Sequence, residues 1–514
     1  MDKRILFLQI LRRHWLVLVV GYVLVIVDPF GIGSSTSKAI SNAFDRMVSP
    51  FYSSHLAAGG EDSADVVDVI LIDDHSIRTL SHEDNGYLTA NDWPLAYSDH
   101  GLLIDALRRR GYGTVILDIT FYRARSTDDS FDFLVTRLKH LRDNAGMSIV
   151  LSAGSDPGEL EPSIHPLVKA ASGLGLAGWS GHGDAYPLEK VFPDGTSVLI
   201  PDGVAVPTLA VAGYRAYCER TKRSGCGGLS KAEEALLAPE PAGMHLKWGM
   251  PVEAERVARS LNCQSSESGL AWFELFFIAG RNMVGPETVN SEGLRVCPPV
   301  PTATMNDVFC TEPGCYPLSR DEETPRERIA IVGVSLPSAR DLFDPPTPGR
   351  LPGVYLHAEA LRNLLLHGAD YVKPMGLSLS LESFGLPGRT LPLDLLVAWP
   401  ALFIAVVCGV RASVNWRWGR GSPSGHSEWS ELAMELFEIL IVLFLLGIIY
   451  SVTLSVNRTP GSLAELIGLT PLLLIAIRKE RKEMENERIS SLGWLACSIK
   501  QPALGRDAVH HRLP

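Results

Sequence analysis

This 514-residue chain is short of basic residues. Lysine and arginine total 47 against 58 aspartates and glutamates, which gives a formal net charge of -11, and no long basic tract occurs. Proteins that bind nucleic acids need a positive surface, so the sequence predicts no nucleic-acid partner. Internal repeats and long low-complexity tracts are also missing. No histidine or cysteine spacing is typical of a zinc site, and we predict no metal and no cofactor.

Long apolar runs, in contrast, are present and raise the mean hydropathy to +0.11. Four of them approach the length of a membrane-spanning helix. They cover residues 14–33, 391–410, 437–454 and 461–477. The sequence therefore predicts a multi-pass protein of the lipid bilayer, with one α-helical span before a large domain and three spans after it.

The lysines and arginines beside these runs predict the orientation of the chain. They place residues 1–13, the 411–431 loop and the 478–514 tail in the cytoplasm, and residues 34–390 outside it. A cleaved signal peptide is the alternative for the first run, but no clear A-x-A cleavage site follows that run. We therefore predict an uncleaved anchor, with both termini cytoplasmic and the large domain periplasmic.

The segment from residue 66 to residue 122 has the pattern of a strand–helix–strand unit. Apolar runs at 66–74 and 115–121 each carry carboxylates near their ends, and residues 102–107 between them have helical periodicity. Two further buried strands are predicted at Ser148–Ser152 and at residues 329–333. Alternating strands and helices indicate an α/β domain with a mostly parallel sheet that is covered on both faces.

Short matches spread over most of residues 35–478 carry a resemblance to a known family. In chain order they are Ile72-Asp73, Trp93-Pro94, Asp118-Ile119-Thr120-Phe121, Ile331-Val332-Gly333, Asp341, Thr347-Pro348, Pro352-Gly353-Val354 and His357-Ala358. In their order and wide separation they resemble the CHASE domain, type 2, an extracytoplasmic sensor module of bacterial signalling proteins. The layout of one span, a large domain and three more spans is similar as well.

The resemblance implies a sensor in a bacterial inner membrane that detects an unknown periplasmic ligand. Members of that family usually carry a cytoplasmic output domain such as a cyclase or a kinase. Only about 35 residues follow Ile477, and an independent domain needs at least about 50. We therefore expect no output domain and no enzymatic activity. The signal is expected to pass to a separate partner protein, and the chain could also form a homo-oligomer.

Acidic residues near the ends of two predicted strands indicate a binding site. Asp73 and Asp118 follow apolar runs, and ligands of open α/β sheets bind outside the carboxyl ends of the strands. Residues from the far end of the domain are expected at the same edge. The candidate ligand-binding residues are Asp73, Trp93, Asp118, Asp341, Thr347 and His357.

Other roles are open for these residues. Aspartates also cap helices and turns, and a buried aromatic such as Trp93 often precedes a rigid turn. A histidine at the head of a helix, such as His357, is more often a satisfied polar contact than a ligand. Clustered carboxylates can also hold a divalent cation or exchange protons.

Two other functions follow from these alternatives. The first is a membrane-anchored periplasmic metal-dependent hydrolase that uses Asp73 and Asp118. The second is an envelope scaffold that does not sense a ligand. No nucleophile–base pair is visible beside the two aspartates, so no catalytic residue is assigned.

Six of the eight cysteines lie in the region predicted to be periplasmic. They are Cys218, Cys226, Cys263, Cys297, Cys310 and Cys315. Because that compartment is oxidising, we predict disulfides within an inserted segment at about 218–326. Six cysteines allow 15 pairings. The simplest pairs Cys218 with Cys226 and Cys310 with Cys315, which leaves Cys263 with Cys297.

Overall fold

The architecture was determined from a computed structural model of the whole chain. It describes residues 66–82, 86–178, 185–192, 204–222, 243–264, 295–310, 328–338, 341–343 and 350–368, together with Asp45, Ser49, Tyr52, Pro345, Tyr371 and short pieces at 373–374, 378–380, 390–392 and 458–459. The chain divides into two units. One contains residues 38–375 and 449–460, and the other contains residues 1–37, 376–448 and 461–514.

Six strands of the first unit form one parallel sheet. They are β1 (Val67–Asp73), β2 (Tyr112–Thr120), β3 (Ser148–Ser152), β4 (Gly173–Gly175), β5 (Thr302–Thr304) and β6 (Arg328–Ser335). Their order across the sheet is β4-β3-β2-β6-β1-β5, and every pairing is parallel. The central strands are rich in apolar residues because both of their faces are covered. The predicted α/β class with a mostly parallel sheet is confirmed.

Helices pack on both faces of this sheet. They are α1 (Asp74–Ser81), α2 (Tyr97–Arg109), α3 (Phe131–Asp143), α4 (His165–Ala170), α5 (Leu209–Thr221), α6 (Met305–Phe309) and α7 (Val354–His367). Helices α1, α2, α3, α4 and α6 bury apolar side chains against one face. Helices α5 and α7 bury theirs against the other, which we call the α5/α7 face.

Shorter elements complete the described structure. Four 3-10 turns occur at Pro157–Glu159, Pro162–Ile164, Ala254–Arg256 and Arg259–Leu261. Five two-stranded pairs join Glu189–Val191 to Ala205–Pro207, Cys263–Gln264 to Arg295–Val296, Leu342–Phe343 to Leu351–Pro352, Lys373–Pro374 to Arg458–Thr459, and, in the second unit, Ser378–Ser380 to Thr390–Pro392.

The strand predicted at residues 329–333, near the far end of the domain, is β6 and lies in the middle of the sheet. β6 pairs with β1 on one side, with Val67 beside Ile329, and with β2 on the other, with Leu117 beside Val332. A strand from residue 328 onward therefore separates the two strands of the opening unit. Because parallel neighbours end at the same edge, β6 carries the segment that follows it, including Asp341, towards the carboxyl ends of β1 and β2.

The edge strand β5 lies within the range that the sequence predicted as a cysteine-rich insertion. The structure instead pairs it with β1, with Val69 beside Thr302. Ala303 and Met305 are fully buried in the first core, so this segment belongs to the sheet domain. β5 is therefore part of the sheet domain because this segment packs in the apolar core, although cysteines lie on both sides of it in the sequence.

Cys263 and Cys297 form a disulfide with their Cα atoms 4.8 Å apart. This agrees with the pairing expected from the sequence. Cys218 and Cys310 are disulfide-bonded as well, and the partners predicted for them lie outside the described residues. Disulfides persist in oxidising compartments, as expected for an extracytoplasmic domain.

The predicted membrane spans fall almost wholly on residues that the structure does not describe. Within the described ranges, no helix is both long enough and apolar enough to cross a bilayer. Leu391 and Pro392, at the start of the second predicted span, belong to the short strand Thr390–Pro392.

Candidate functional site

Asp118 lies near the carboxyl end of β2 and is directed towards the α5/α7 face. Side chains alternate along a strand, and Ile116, two residues earlier, is buried in the core of that face. The side chain of Asp118 is only 10% exposed. Among the residues that the structure describes, none forms a hydrogen bond with its carboxyl group. A buried carboxyl without a partner is costly to keep in a fold, which makes this position a candidate for ligand binding.

His357, in the first turn of α7, approaches Asp118. Its Nε2 lies 3.8 Å from Asp118 Oδ1 and 3.1 Å from the carbonyl oxygen of Ala177. Its Nδ1 lies 2.8 Å from the hydroxyl of Tyr186. A carbonyl can only accept, so Nε2 carries the proton and Nδ1 accepts from the tyrosine. The hydroxyl oxygen of Tyr186 accepts in turn from the backbone N–H of Ala210, at 3.2 Å.

This arrangement keeps the imidazole neutral at physiological pH. Burial lowers the pKa of His357 to about 4, and the hydrogen bond to Ala177 only partly offsets that effect. Both ring nitrogens already have partners in the neutral form. His357 is therefore a positioned neutral group that borders the site.

Asp341 reaches the site through a short hairpin. The antiparallel pair Leu342–Phe343 and Leu351–Pro352 brings Asp341 next to Gly353, whose N–H donates to the Asp341 carbonyl oxygen at 2.9 Å. A Cβ on Gly353 would lie 2.5 Å from the Asp341 carboxylate, so only glycine leaves room for it. Partial burial raises the pKa of Asp341, and hydrogen bonding from Gly353 opposes that rise.

The two carboxyl groups interact electrostatically. Burial, and secondly the negative charge of Asp341, raise the pKa of Asp118 from 3.8 to about 8. No lysine or arginine of the described part of the chain counteracts this shift. At neutral pH the Asp118 carboxyl is therefore mostly protonated. Strongly perturbed carboxyl groups at the edge of a sheet are typical of functional sites.

Asp73 ends β1 at the same edge of the sheet but has a local role. Its Oδ1 accepts a hydrogen bond from the backbone N–H of Ser76 at 2.8 Å and so caps α1. Since β6 lies between β1 and β2, Asp73 and Asp118 are two strand spacings apart, about 10 Å across the sheet. The structure thus groups Asp118, Asp341 and His357, and holds Asp73 in a helix cap.

Of the two remaining candidates, the structure describes only Trp93, and it places that residue elsewhere. Trp93 is half-buried against the core on the opposite face of the sheet from α5 and α7, with its ring 6.2 Å from that of His100. The peptide bond between Trp93 and Pro94 is cis. Thr347 lies outside the described residues.

Tyr186 is the site residue that the sequence did not predict. It is fully buried and is held by backbone hydrogen bonds to Met244, at 2.7 and 2.6 Å. It lies outside any long periodic segment, and its contact with His357 spans 171 residues. No local pattern could therefore have identified it.

Removal of the Tyr186 hydroxyl tests this description of the site. Tyr186→Phe leaves Nδ1 of His357 without its donor and the Ala210 N–H without that acceptor. We expect the free energy of unfolding to fall by about 1–3 kcal/mol, the cost of unpaired buried polar groups. Tyr214→Phe is the control, because Tyr214 packs in the same core and has no hydrogen bond to a described residue. Equal urea midpoints for the two variants would contradict the hydrogen-bonded chain.

Within the part of the chain that the structure describes, no group of three or more histidine, cysteine, aspartate or glutamate residues is arranged to hold an ion.

Comparison with known proteins shows the family to which the chain belongs. No curated protein and no solved structure matches the chain. The family model for the CHASE2 domain matches residues 19–386, well over half of the chain. That range contains every member of the site described above, and CHASE2 domains are extracytoplasmic sensors. This chain, whose α/β domain carries the carboxyl pair at the sheet edge, thus belongs to the CHASE2 domain family.

Proposed function

We propose that the chain is an inner-membrane sensor that binds a periplasmic ligand beside Asp118, Asp341 and His357. Ligand binding shifts the domain between two packings, and the shift passes to a separate signalling protein through the 411–431 loop or the 478–514 tail. A ligand can drive such a shift only if its affinities for the two packings differ. In this proposal the chain acts by binding and has no catalytic activity of its own.

The observation that carries the proposal is the nine-tenths buried carboxyl group of Asp118, which forms no hydrogen bond with a described residue. It lies near the carboxyl end of a central parallel strand, where ligands of open α/β sheets bind. A core position with this environment favours an apolar residue. An ionisable group kept there at an energetic cost is best explained by contact with a ligand.

Helix α7 supports a route for the signal. It carries His357 beside the site and Glu359 and Arg362 on its next turns. Burial raises the pKa of the Tyr52 hydroxyl, and the negative charge of Glu359 raises it further. Glu359 therefore lies near Tyr52. Tyr52 precedes β1, so Glu359 links α7 electrostatically to a residue ahead of the sheet.

The hydrolase alternative has less support. A shared metal requires Asp73 and Asp118 to converge, but β6 separates their strands and Asp73 caps α1. No described observation favours turnover over binding, so binding remains the proposed activity.

Photo-crosslinking in cells tests the proposed transmission. A photoreactive residue placed at Trp416 in the loop or at Trp494 in the tail should capture a signalling protein. With Asp118→Asn, which keeps the size of the side chain and removes its ability to ionise, we expect the captured amount to change severalfold. Asp132→Asn, at an exposed position on α3, should leave the amount unchanged. Capture that is identical in all three proteins, with folding verified, would exclude Asp118 from signalling.

A further inference from the structure

We propose that the site recognises a small organic cation whose primary ammonium group binds between the carboxylates of Asp118 and Asp341. This assignment of a ligand class rests on the proposed function and makes it specific. It follows from the charges and hydrogen-bonding groups that line the site.

The charges at the site favour a positively charged ligand. Both acidic groups lie beside the start of α7, Asp341 at Gly353 and Asp118 at His357, and Asp341 acts electrostatically on Asp118. Among the residues that the structure describes, the other titratable groups beside Asp118 are His357, from α7, and Tyr186, from the segment before Glu189–Val191, and both are neutral. When both carboxyl groups ionise, they repel each other, and the burial of Asp118 limits how far solvent weakens that repulsion. A bound positive charge removes that repulsion.

The hydrogen-bonding groups at the site favour a ligand that brings donors. The Nε2–H of His357 is directed to Ala177, the hydroxyl of Tyr186 to His357, and the N–H of Gly353 to Asp341. The side-chain donors at the site therefore already have acceptors. The carboxyl oxygens of Asp118 have no hydrogen bond within the described residues. The site thus offers acceptors and selects a ligand that brings donors, which an anion does not.

The number of acidic ligands distinguishes an ammonium group from a metal ion. A calcium ion takes six to eight oxygen ligands, and magnesium requires a nearly octahedral set. Among the described residues, no group of three or more acidic, histidine or cysteine side chains is arranged to hold a metal ion. An ammonium group needs only a few acceptors for its three N–H bonds, and carboxylates form strong, charge-assisted hydrogen bonds with it.

Binding of a cation has to be coupled to loss of a proton. The free site holds a proton on Asp118 at neutral pH, and the bound site needs that carboxyl ionised. The proton leaves to solvent, and no bond of the ligand changes. The affinity for the cation should therefore rise about tenfold for each pH unit up to pH ~8 and level off above it, where Asp118 is already ionised in the free site.

The test uses the full chain in lipid nanodiscs, with four probes at matched ionic strength. They are propylamine, propyltrimethylammonium, propionate and magnesium chloride. Affinities are obtained from titrations of the melting temperature between pH 6 and pH 9. Propylamine should bind best, and propyltrimethylammonium at least tenfold more weakly because it has no N–H donors. The affinity for propylamine should follow the pH dependence just described.

Two variants and one control locate the binding. Asp118→Asn should weaken propylamine binding more than tenfold and abolish its dependence on pH. Gly353→Ala should displace the Asp341 carboxylate, since the new Cβ would lie 2.5 Å from it. That variant should weaken binding severalfold while the pH dependence set by Asp118 remains. Asp132→Asn should bind like the unmodified protein.

Three results would overturn the assignment. They are no propylamine binding at pH 8.5, tighter binding of propionate or magnesium than of propylamine, and an affinity that does not change with pH. Each can be read on the unmodified protein, so a variant that fails to fold does not affect the decision. If one of these results is found while crosslinking still depends on Asp118, the assignment of a cationic ligand is refuted. The proposed sensor function is then retained. Loss of the crosslinking dependence alone would refute the sensor function.

Discussion

Asp118→Asn is expected to remove a pH dependence of roughly 4 kcal/mol from the stability of the folded domain. The pKa of Asp118 is about 8 in the fold against 3.8 for an unperturbed aspartate. Between those pH values the folded protein keeps a proton that the unfolded chain has lost. Raising the pH from 5 to 8 therefore destabilises the native state by about 1.4 kcal/mol per unit. Asparagine cannot titrate, so the variant lacks this loss.

The measurement is urea unfolding of the full chain at several pH values between 5 and 9. The stability of the variant relative to the unmodified protein should increase steadily up to pH ~8 and then remain constant. Other titrating groups affect both proteins and cancel in the difference. Asp132→Asn, whose side chain is exposed, should show a constant difference near zero. If Asp118→Asn also gives a constant difference, Asp118 titrates as an ordinary aspartate and the description of its environment is wrong.

Arg362→Met should cost about 3–5 kcal/mol, because it leaves a buried carboxylate without its charge partner. Glu359 is fully buried, and its Oε1 accepts a hydrogen bond of 2.8 Å from Nη1 of Arg362. The same nitrogen donates to the carbonyl oxygen of Pro299 at 2.8 Å. Burial raises the pKa of Glu359, and Arg362 opposes that rise. Without the arginine the pKa rises further, so the loss of stability should be smaller at pH 5 than at pH 8.

Two comparisons distinguish this effect from loss of packing. The double replacement of Glu359 and Arg362 by methionine removes both charges and should cost less than Arg362→Met alone. Arg78→Met, at an exposed position of α1, should change the free energy of unfolding by no more than about 0.5 kcal/mol. A double variant as unstable as the single one would show that the arginine stabilises the domain by packing. Unfolding at pH 5 and pH 8 provides the test.

The sequence by itself determined the class of the fold and the main strands. The apolar runs that became β1, β2, β3 and β6 are locally continuous, and only a strand covered on both faces keeps such a run out of water. Gly111 ends the helix between β1 and β2 with a φ of 88°, a conformation that glycine adopts at little cost. The sequence also indicated the family, because the short motifs that resemble the family occur in order and far apart along the chain.

The tertiary structure decided which acidic residue forms the site. Asp73 and Asp118 have similar local patterns, since each is an aspartate near the end of an apolar strand. Asp73 finds the N–H of Ser76 three residues later and becomes a cap. Asp118 has no such local donor and is surrounded by groups that are far away in the chain.

Those groups arrive only when the sheet closes. β6 inserts between β1 and β2, and the hairpin and α7 that follow it bring Asp341 and His357 to Asp118, while Tyr186 comes from the middle of the chain. Burial and the field of a second carboxyl group, which set the pKa of Asp118, are properties of that assembled environment. Local periodicity specifies strands and helices, whereas the electrostatic character of a side chain depends on neighbours that only the packed fold provides.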